Sequence, residues 1–276
     1  MKIEEIAFEA AEPFRENCDL LLLTATRVEH HEVLAKLRPL NKESAVYCVF
    51  KGNLTYYIGS YGAYGAVLVK SGMGAGGADG ALLSTRNAIE LWQPKAVVMV
   101  GIAFGVDPKS QRIGDVLISD HIIPYDLKRE GRKVRVFRSE HPPASSFLKN
   151  RFEEVLNWSF RLPGGQLAKK KICPLLSGEV LVDNEAFRNA LIEEFPQAKG
   201  GEMEGRGVYA AANDKAIPWI VVKAICDFAD GNKGQNKAAN QEVAIQSANS
   251  LVHKVFSSPY AFEDLQMALS GRSRRE

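Results

Sequence analysis

The feature that most constrains this chain is a series of short apolar runs that lack a polar face. CDLLLLT at 18–24, GAVLVK at 65–70, AVVMVG at 96–101, GDVLIS at 114–119 and PWIVVKAI at 218–225 are of this kind. A strand solvated on one side alternates apolar and polar residues, whereas these runs call for cover on both faces. The segments between them have helical spacing. Val33, Leu34 and Leu37 recur on one face of a helix predicted over 29–37 and closed by Pro39, and a helix after residues 71–80 reaches about Leu91 before Pro94. Further helices are predicted over 184–195, 205–214 and 241–256, and a strand over 174–182. The runs 45–50 and 54–60 flank Lys51-Gly52-Asn53 as a hairpin. The expected fold is α/β in three layers, a central mixed, mostly parallel twisted sheet flanked by helices.

Charge and cysteine usage narrow the partners. A formal net charge of +2 gives no general attraction to nucleic acid or membrane. No apolar run approaches the roughly 20 residues that span a bilayer, and the first 17 residues lack the order of a signal peptide. Cys18, Cys48, Cys173 and Cys226 lie far apart with no CxxC pair, so neither a zinc site nor a disulfide framework is expected. The reading is a cytoplasmic protein with no metal and no organic cofactor.

In open α/β sheets ligands gather at the C-terminal ends of strands, which directs attention to three places. The segment SGMGAGGADG at 71–80 is either a phosphate cradle of free backbone N–H groups or a tight strand-to-helix turn; it lacks the GK[ST] of a P-loop. GGEMEGRG at 200–207 puts two carboxylates before a helix, suited either to pairing with vicinal sugar hydroxyls or to stabilising the helix N-terminus. In KAICDFAD at 223–230, Asp227 lies just beyond a buried strand. There it is either a general acid with a pKa raised by desolvation or a turn cap.

EMEG at 202–205, followed about twenty residues later by KAICDFAD, resembles the nucleoside phosphorylase/nucleosidase superfamily. The likeness is strongest to 5'-methylthioadenosine/S-adenosylhomocysteine nucleosidases. TATRVE at 24–29, SGMG at 71–74, VGIAFG at 100–105, GDVLISD at 114–120 and SGEVLVDN at 177–184 fall in the same succession, so the resemblance extends from about residue 19 to 256. It implies a phosphorylase/hydrolase-like catalytic domain over 18–258, with an N-terminal extension over 1–17 and a polar C-terminal tail over 259–276.

The resemblance also implies roles. Asp227 would protonate the purine at N7, and Glu29 would position or activate the attacking water. Glu204, with Glu202 beside it, would hold the ribose hydroxyls, and Met203 would pack under the sugar. Leu181 and Val182 would line the base pocket, with Ala103 and Phe104 on a turn near base and sugar.

Hydrolysis is preferred to phosphorolysis because the GDPxR phosphate loop is absent and a carboxylate at Glu29 would repel phosphate. Arg27 and Arg86 are the cations that a phosphorylase reading, or a 5'-phosphate, would use. Six of the eleven residues from 128 to 138 are basic, where relatives build an apolar pocket for a 5'-thioalkyl group. Either they form a solvated charged surface, or Lys128 and Arg129 face the phosphate of AMP or ATP. The expected substrate is a purine (adenine) nucleoside or nucleotide; a phosphorylase and a silent nucleotide sensor are the alternatives. A homo-oligomer, dimer or hexamer, is implied, with nucleic acid and membrane not expected as partners.

Overall fold

The computed structural model describes residues 2–126, 128–130, 135–137, 140–231, 234 and 236–270; for 128–130 and 135–137 it describes the backbone alone. In chain order the elements are β1 (Ile3–Glu5), α1 (Phe8–Ala11), β2 (Leu20–Thr24), α2 (Arg27–Lys36), β3 (Val46–Lys51), β4 (Leu54–Tyr61), β5 (Tyr64–Lys70), α3 (Ala81–Trp92), β6 (Ala96–Gly105) and β7 (Val116–Pro124). They continue with β8 (Lys128–Glu130), β9 (Arg135–Phe137), α4 (Ser146–Glu153), β10 (Lys170–Ser177), α5 (Glu185–Glu194), β11 (Gly200–Glu202), α6 (Gly205–Asp214), β12 (Trp219–Asp227) and α7 (Lys237–Phe256).

Among the described residues one sheet has the order β1-β3-β4-β5-β2-β6-β11-β10-β7-β12, and β6 pairs additionally with β12. β6 therefore has three neighbours, and β6, β11, β10, β7 and β12 close on themselves as a ring. Parallel pairings join β2 to β5 and β6, β6 to β12, and β10 to β7 and β11. Antiparallel pairings occur in the 46–70 meander, between β12 and β7, and between β11 and β6. The sheet is thus mixed and mostly parallel, as the apolar runs require. Leu20, Leu21, Leu22 and Leu23 are all fully buried, so both faces of β2 are covered. Each such leucine contributes roughly 1.5–3 kcal/mol relative to exposure.

Three expectations are corrected. The strand predicted to end at Gly101 runs to Gly105, because β12 pairs with it as far as Phe104 and β11 as far as Gly105. The strand predicted over 174–182 is Lys170–Ser177, and 178–182 is not strand. Gly178 lies under the Tyr125 ring, where any Cβ would collide, and Glu179 N donates to Asp126 Oδ2 at 2.7 Å, which draws the chain off the sheet. The C-terminal tail, expected to be polar over 259–276, packs at its start: Phe262 is buried and stacks on Phe256 at 4.4 Å. Residues 271–276 lie outside the described ones. At the other end, Ile3–Glu5 joins the sheet edge parallel to β3, and Ala11 is fully buried. Among the described residues no helix is long and apolar enough to cross a membrane.

His30 on α2 is buried, with Nδ1 3.2 Å from Thr24 Oγ1 and the ring 5.2 Å from that of Tyr57. Burial, then the charges of Lys70 and His31, lowers its pKa to about 4 from 6.5. A histidine held neutral by folding contributes stability that is present above the unfolded value and is lost as pH falls through the folded one. Unfolding in urea should accordingly show about 3 kcal/mol less stability from this group at pH 4 than at pH 7. His30→Leu should flatten that part of the acid limb, and an unchanged slope would show that the imidazole is not its source.

Candidate active site

The turn after β2 is built by Thr26 and Glu29. Thr26 caps α2 by accepting Glu29 N at Oγ1 (3.3 Å), while Glu29 Oε2 accepts Thr26 N (2.7 Å) and Ala25 N (2.8 Å). This reciprocal box satisfies the orphan amides of the helix start. Glu29 Oε1 reaches across to β6 and accepts Ile102 N at 2.8 Å. The carboxylate is 1% exposed and fixed by three amides, and each oxygen has a second lone-pair site. Gly101 is what permits this approach, since a Cβ there would collide with Glu29 and come within 2.9 Å of Lys223 Nζ.

At the start of α6 the two glutamates divide their tasks. Glu202 accepts Glu204 N (2.9 Å) and Gly205 N (2.8 Å), so its carboxylate caps the helix. Burial raises its pKa, outweighing the opposing pull of Lys223. Glu204 Oε1 accepts Gly74 N from the glycine segment at 3.0 Å, and Oε2 accepts Lys223 Nζ at 2.9 Å. Lys223 is fully buried and lies 3.6 Å from Glu202 Oε2. Burial is the largest single influence on its ammonium and opposes the charge. The fields of Glu204, Glu29 and Glu202 together outweigh it and hold the pKa above the ordinary lysine value. One cation thus serves three buried carboxylates.

Asp227 is aimed by a bulge. Ile225 pairs with Ala103 and Asp227 with Phe104, leaving Cys226 as an extra residue on β12. Such an insertion bends the strand and re-aims the side chain beyond it. Asp227 Oδ1 accepts Ala229 N at 2.9 Å and Oδ2 accepts Cys226 Sγ at 3.2 Å. The buried Arg188 of α5 donates from Nη1 to Phe228 O at 2.6 Å, which holds the next residue in place.

These groups meet in one cavity. Its lining includes Glu29, Ala103, Phe104, Leu181, Val182, Glu202, Met203, Glu204 and Asp227, together with Thr26, Met73, Ile102 and Val180. Every residue expected at base, sugar and reaction centre is therefore brought together. Ala103 and Phe104, expected on a turn, are in the last residues of β6. Glu202, expected at the ribose, has both oxygens engaged by the α6 amides. Arg86 is not among the lining residues; it stands exposed on α3 and pairs with Glu90 at 3.2 Å. Arg27 lines an adjoining groove. The side chains of Lys128 and Arg129 lie outside the described residues.

The glycine segment donates to the chain's own carboxylates: Gly74 N to Glu204, and Ala75 N and Gly76 N to Glu179 Oε1 at 3.1 and 3.0 Å. Neither the phosphate cradle nor the plain turn anticipates this. Sequence reasoning missed Lys223, Glu179 and Arg188. For Lys223 the signal was present, a lone cation inside an apolar strand, which is rare unless paired.

The chain is similar in sequence and in fold to known proteins. A protein of Amphimedon queenslandica described as a death domain-containing ATP nucleosidase is 33% identical over 236 residues, covering 79% of this chain and 44% of that protein. The chain thus spans less than half the length of that relative. A 5'-methylthioadenosine/S-adenosylhomocysteine nucleosidase of Staphylococcus haemolyticus is 25% identical, covering 80% of this chain and 91% of the relative. Among solved structures, a nucleosidase of the same description from Colwellia psychrerythraea, in complex with adenine, superposes with a TM-score of 0.73. It is 20% identical over 87% of this chain and 95% of that one. Residues 19–257 match the family model described as Phosphorylase superfamily, and the chain belongs to that superfamily.

Proposed function

We propose that the chain is a purine N-ribosidase that hydrolyses the N-glycosidic bond of an adenine nucleoside or nucleotide and releases the free base. The observation that carries this reading is the single cavity with Asp227 at one strand end and Glu29 and Glu204 at others. Breaking the bond builds positive charge on the sugar and negative charge on the base. Carboxylates beside the ribose stabilise the first, and a proton delivered by Asp227 to purine N7 relieves the second. Glu204 accepts from the ribose hydroxyls, Met203 packs against the sugar, and Ala103, Phe104, Leu181 and Val182 enclose the base. Glu29, pinned by three amides, orients the attacking water.

Hydrolysis is favoured over phosphorolysis by the local charge. The cavity carries Glu29, Glu202, Glu204 and Asp227 against Lys237 at its margin, and the amides of Gly74, Ala75 and Gly76 are already engaged by glutamates. An entering phosphate dianion would meet like charge and no free nest. The ATP named in the Amphimedon relative's description supports including nucleotides among the substrates. Exposed Met73, Val180 and Leu181 at the cavity rim fit a neighbouring subunit of a homo-oligomer. The test is base release by the purified chain from methylthioadenosine, adenosine, AMP and ATP, with and without phosphate. Adenine and free sugar in phosphate-free buffer are expected. Strict dependence on phosphate would replace the reading with a phosphorylase, and no base release from any of the four with a sensor.

A further inference from the structure

The cavity does not end at the sugar. Thr26, Met73, Lys237 and Gln241 line both it and an adjoining, wider groove, about 770 Å³ against about 160 Å³ for the cavity. The groove runs between α2 and α7. Arg27, His31 and Glu32 come from the first helix and Lys237, Gln241 and Glu242 from the second, with Val28, Met73, Ala238 and Ile245 as its apolar part.

Its charges are sorted along its length. Arg27 and Lys237 are the first residues of their helices, next to the lining shared with the cavity. Both are exposed, and among the described residues neither is in an ion pair. The two acids are held further along. Glu32 Oε1 accepts Asn249 Nδ2 at 3.2 Å, and Asn249 is twelve residues beyond Lys237 (249 − 237), about 18 Å down α7. Glu242 Oε1 accepts Gln246 Nε2 at 3.3 Å, again away from the helix start. Glu29, Glu202, Glu204 and Asp227 line the cavity, and its lining cation is Lys237, at the margin shared with the groove, so a substrate phosphate is repelled from the sugar end and drawn toward that margin.

Resting on the hydrolase reading above, we propose that this groove is the subsite for the 5'-polyphosphate of a nucleoside triphosphate, with Arg27 and Lys237 as the residues that hold it. Arg27 offers a planar donor fork suited to phosphate oxygens and Lys237 a compact point charge. Both determine specificity and neither takes part in bond cleavage.

The test compares kcat/KM for ATP and for adenosine in the wild type, Arg27→Ala, Lys237→Ala and the double variant. Removing either charge-assisted hydrogen-bond donor should reduce the ATP-to-adenosine ratio by about 10- to 100-fold, mainly through KM. Lys237→Arg should restore most of it, and KM for ATP but not for adenosine should rise with salt. An unchanged ratio in the double variant overturns the subsite, as does a wild-type preference for methylthioadenosine over ATP, which would give the groove to an aliphatic 5' group on its apolar part. If the wild type releases no adenine from any of these, the hydrolase reading has failed. Equilibrium dialysis of ATP and adenosine then decides the groove alone: ATP binding weakened selectively in the double variant supports it, and equal binding refutes it.

Discussion

Asp227→Asn should lower kcat for base release by roughly 10²–10⁴-fold, the usual contribution of a positioned general acid, with little change in thermal unfolding. The amide keeps the shape of the carboxyl and can still accept Ala229 N at Oδ1, so the turn that the carboxylate caps at 2.9 Å should persist. What it loses is the transferable proton. The loss should appear in kcat rather than KM, because the interaction is made as the base departs. Substrates whose base leaves without protonation should be affected least, which separates loss of the acid from general damage. Wild-type turnover in Asp227→Asn would remove the acid and with it the mechanism.

Lys223→Met should have the second large effect, on stability as well as activity. Methionine fills similar space but leaves Glu202, Glu204 and Glu29 facing one another without their shared cation. Breaking a buried charge cluster by removing one partner typically costs 3–5 kcal/mol, which for a chain of this size corresponds to a fall in Tm of roughly 6–20 °C. Turnover should fall too, since Lys223 Nζ fixes Glu204 Oε2 at 2.9 Å. A cycle with Glu204→Gln gives the sharper measurement. Neutralising one carboxylate relieves part of the repulsion, so the double variant should be less destabilised than the sum of the singles. Strict additivity in calorimetry would mean that the pair is not coupled.

Much of this was legible because burial on both faces leaves an unmistakable record in residue type. The runs at 18–24, 65–70, 96–101 and 218–225 all became strands, and the order of motifs brought Glu29, Glu204 and Asp227 into one cavity. The misreadings have physical causes. Ala103 and Phe104, lying between two glycines, are expected on a turn, yet Gly101 is small to admit Glu29 and Lys223 beside the strand, and Gly105 pairs with Gly200 of β11. The strand over 170–177 opens with lysines, while Val180, Leu181 and Val182 mimic strand and belong to the cavity lining. That Glu202 turns back on the amides of its own helix while lining the cavity was not legible, because sequence cannot tell which of two nearby carboxylates does so. Glu179 bonds amides 104 and 103 residues away, and no local pattern encodes such a pairing.

The ring of strands around β6 also sets the order in which the molecule can be completed. β6 must find β12 more than a hundred residues later, and contacts so distant along the chain are slow to form. During synthesis the segment carrying Glu29 emerges about 200 residues before Asp227 and its bulge. Until then β6 offers one side of its backbone to whatever strand comes by, a recognised route to misassembly. A nascent chain stopped before residue 219 would carry Glu29, Glu202 and Glu204 without Asp227, and an open edge seeking a partner.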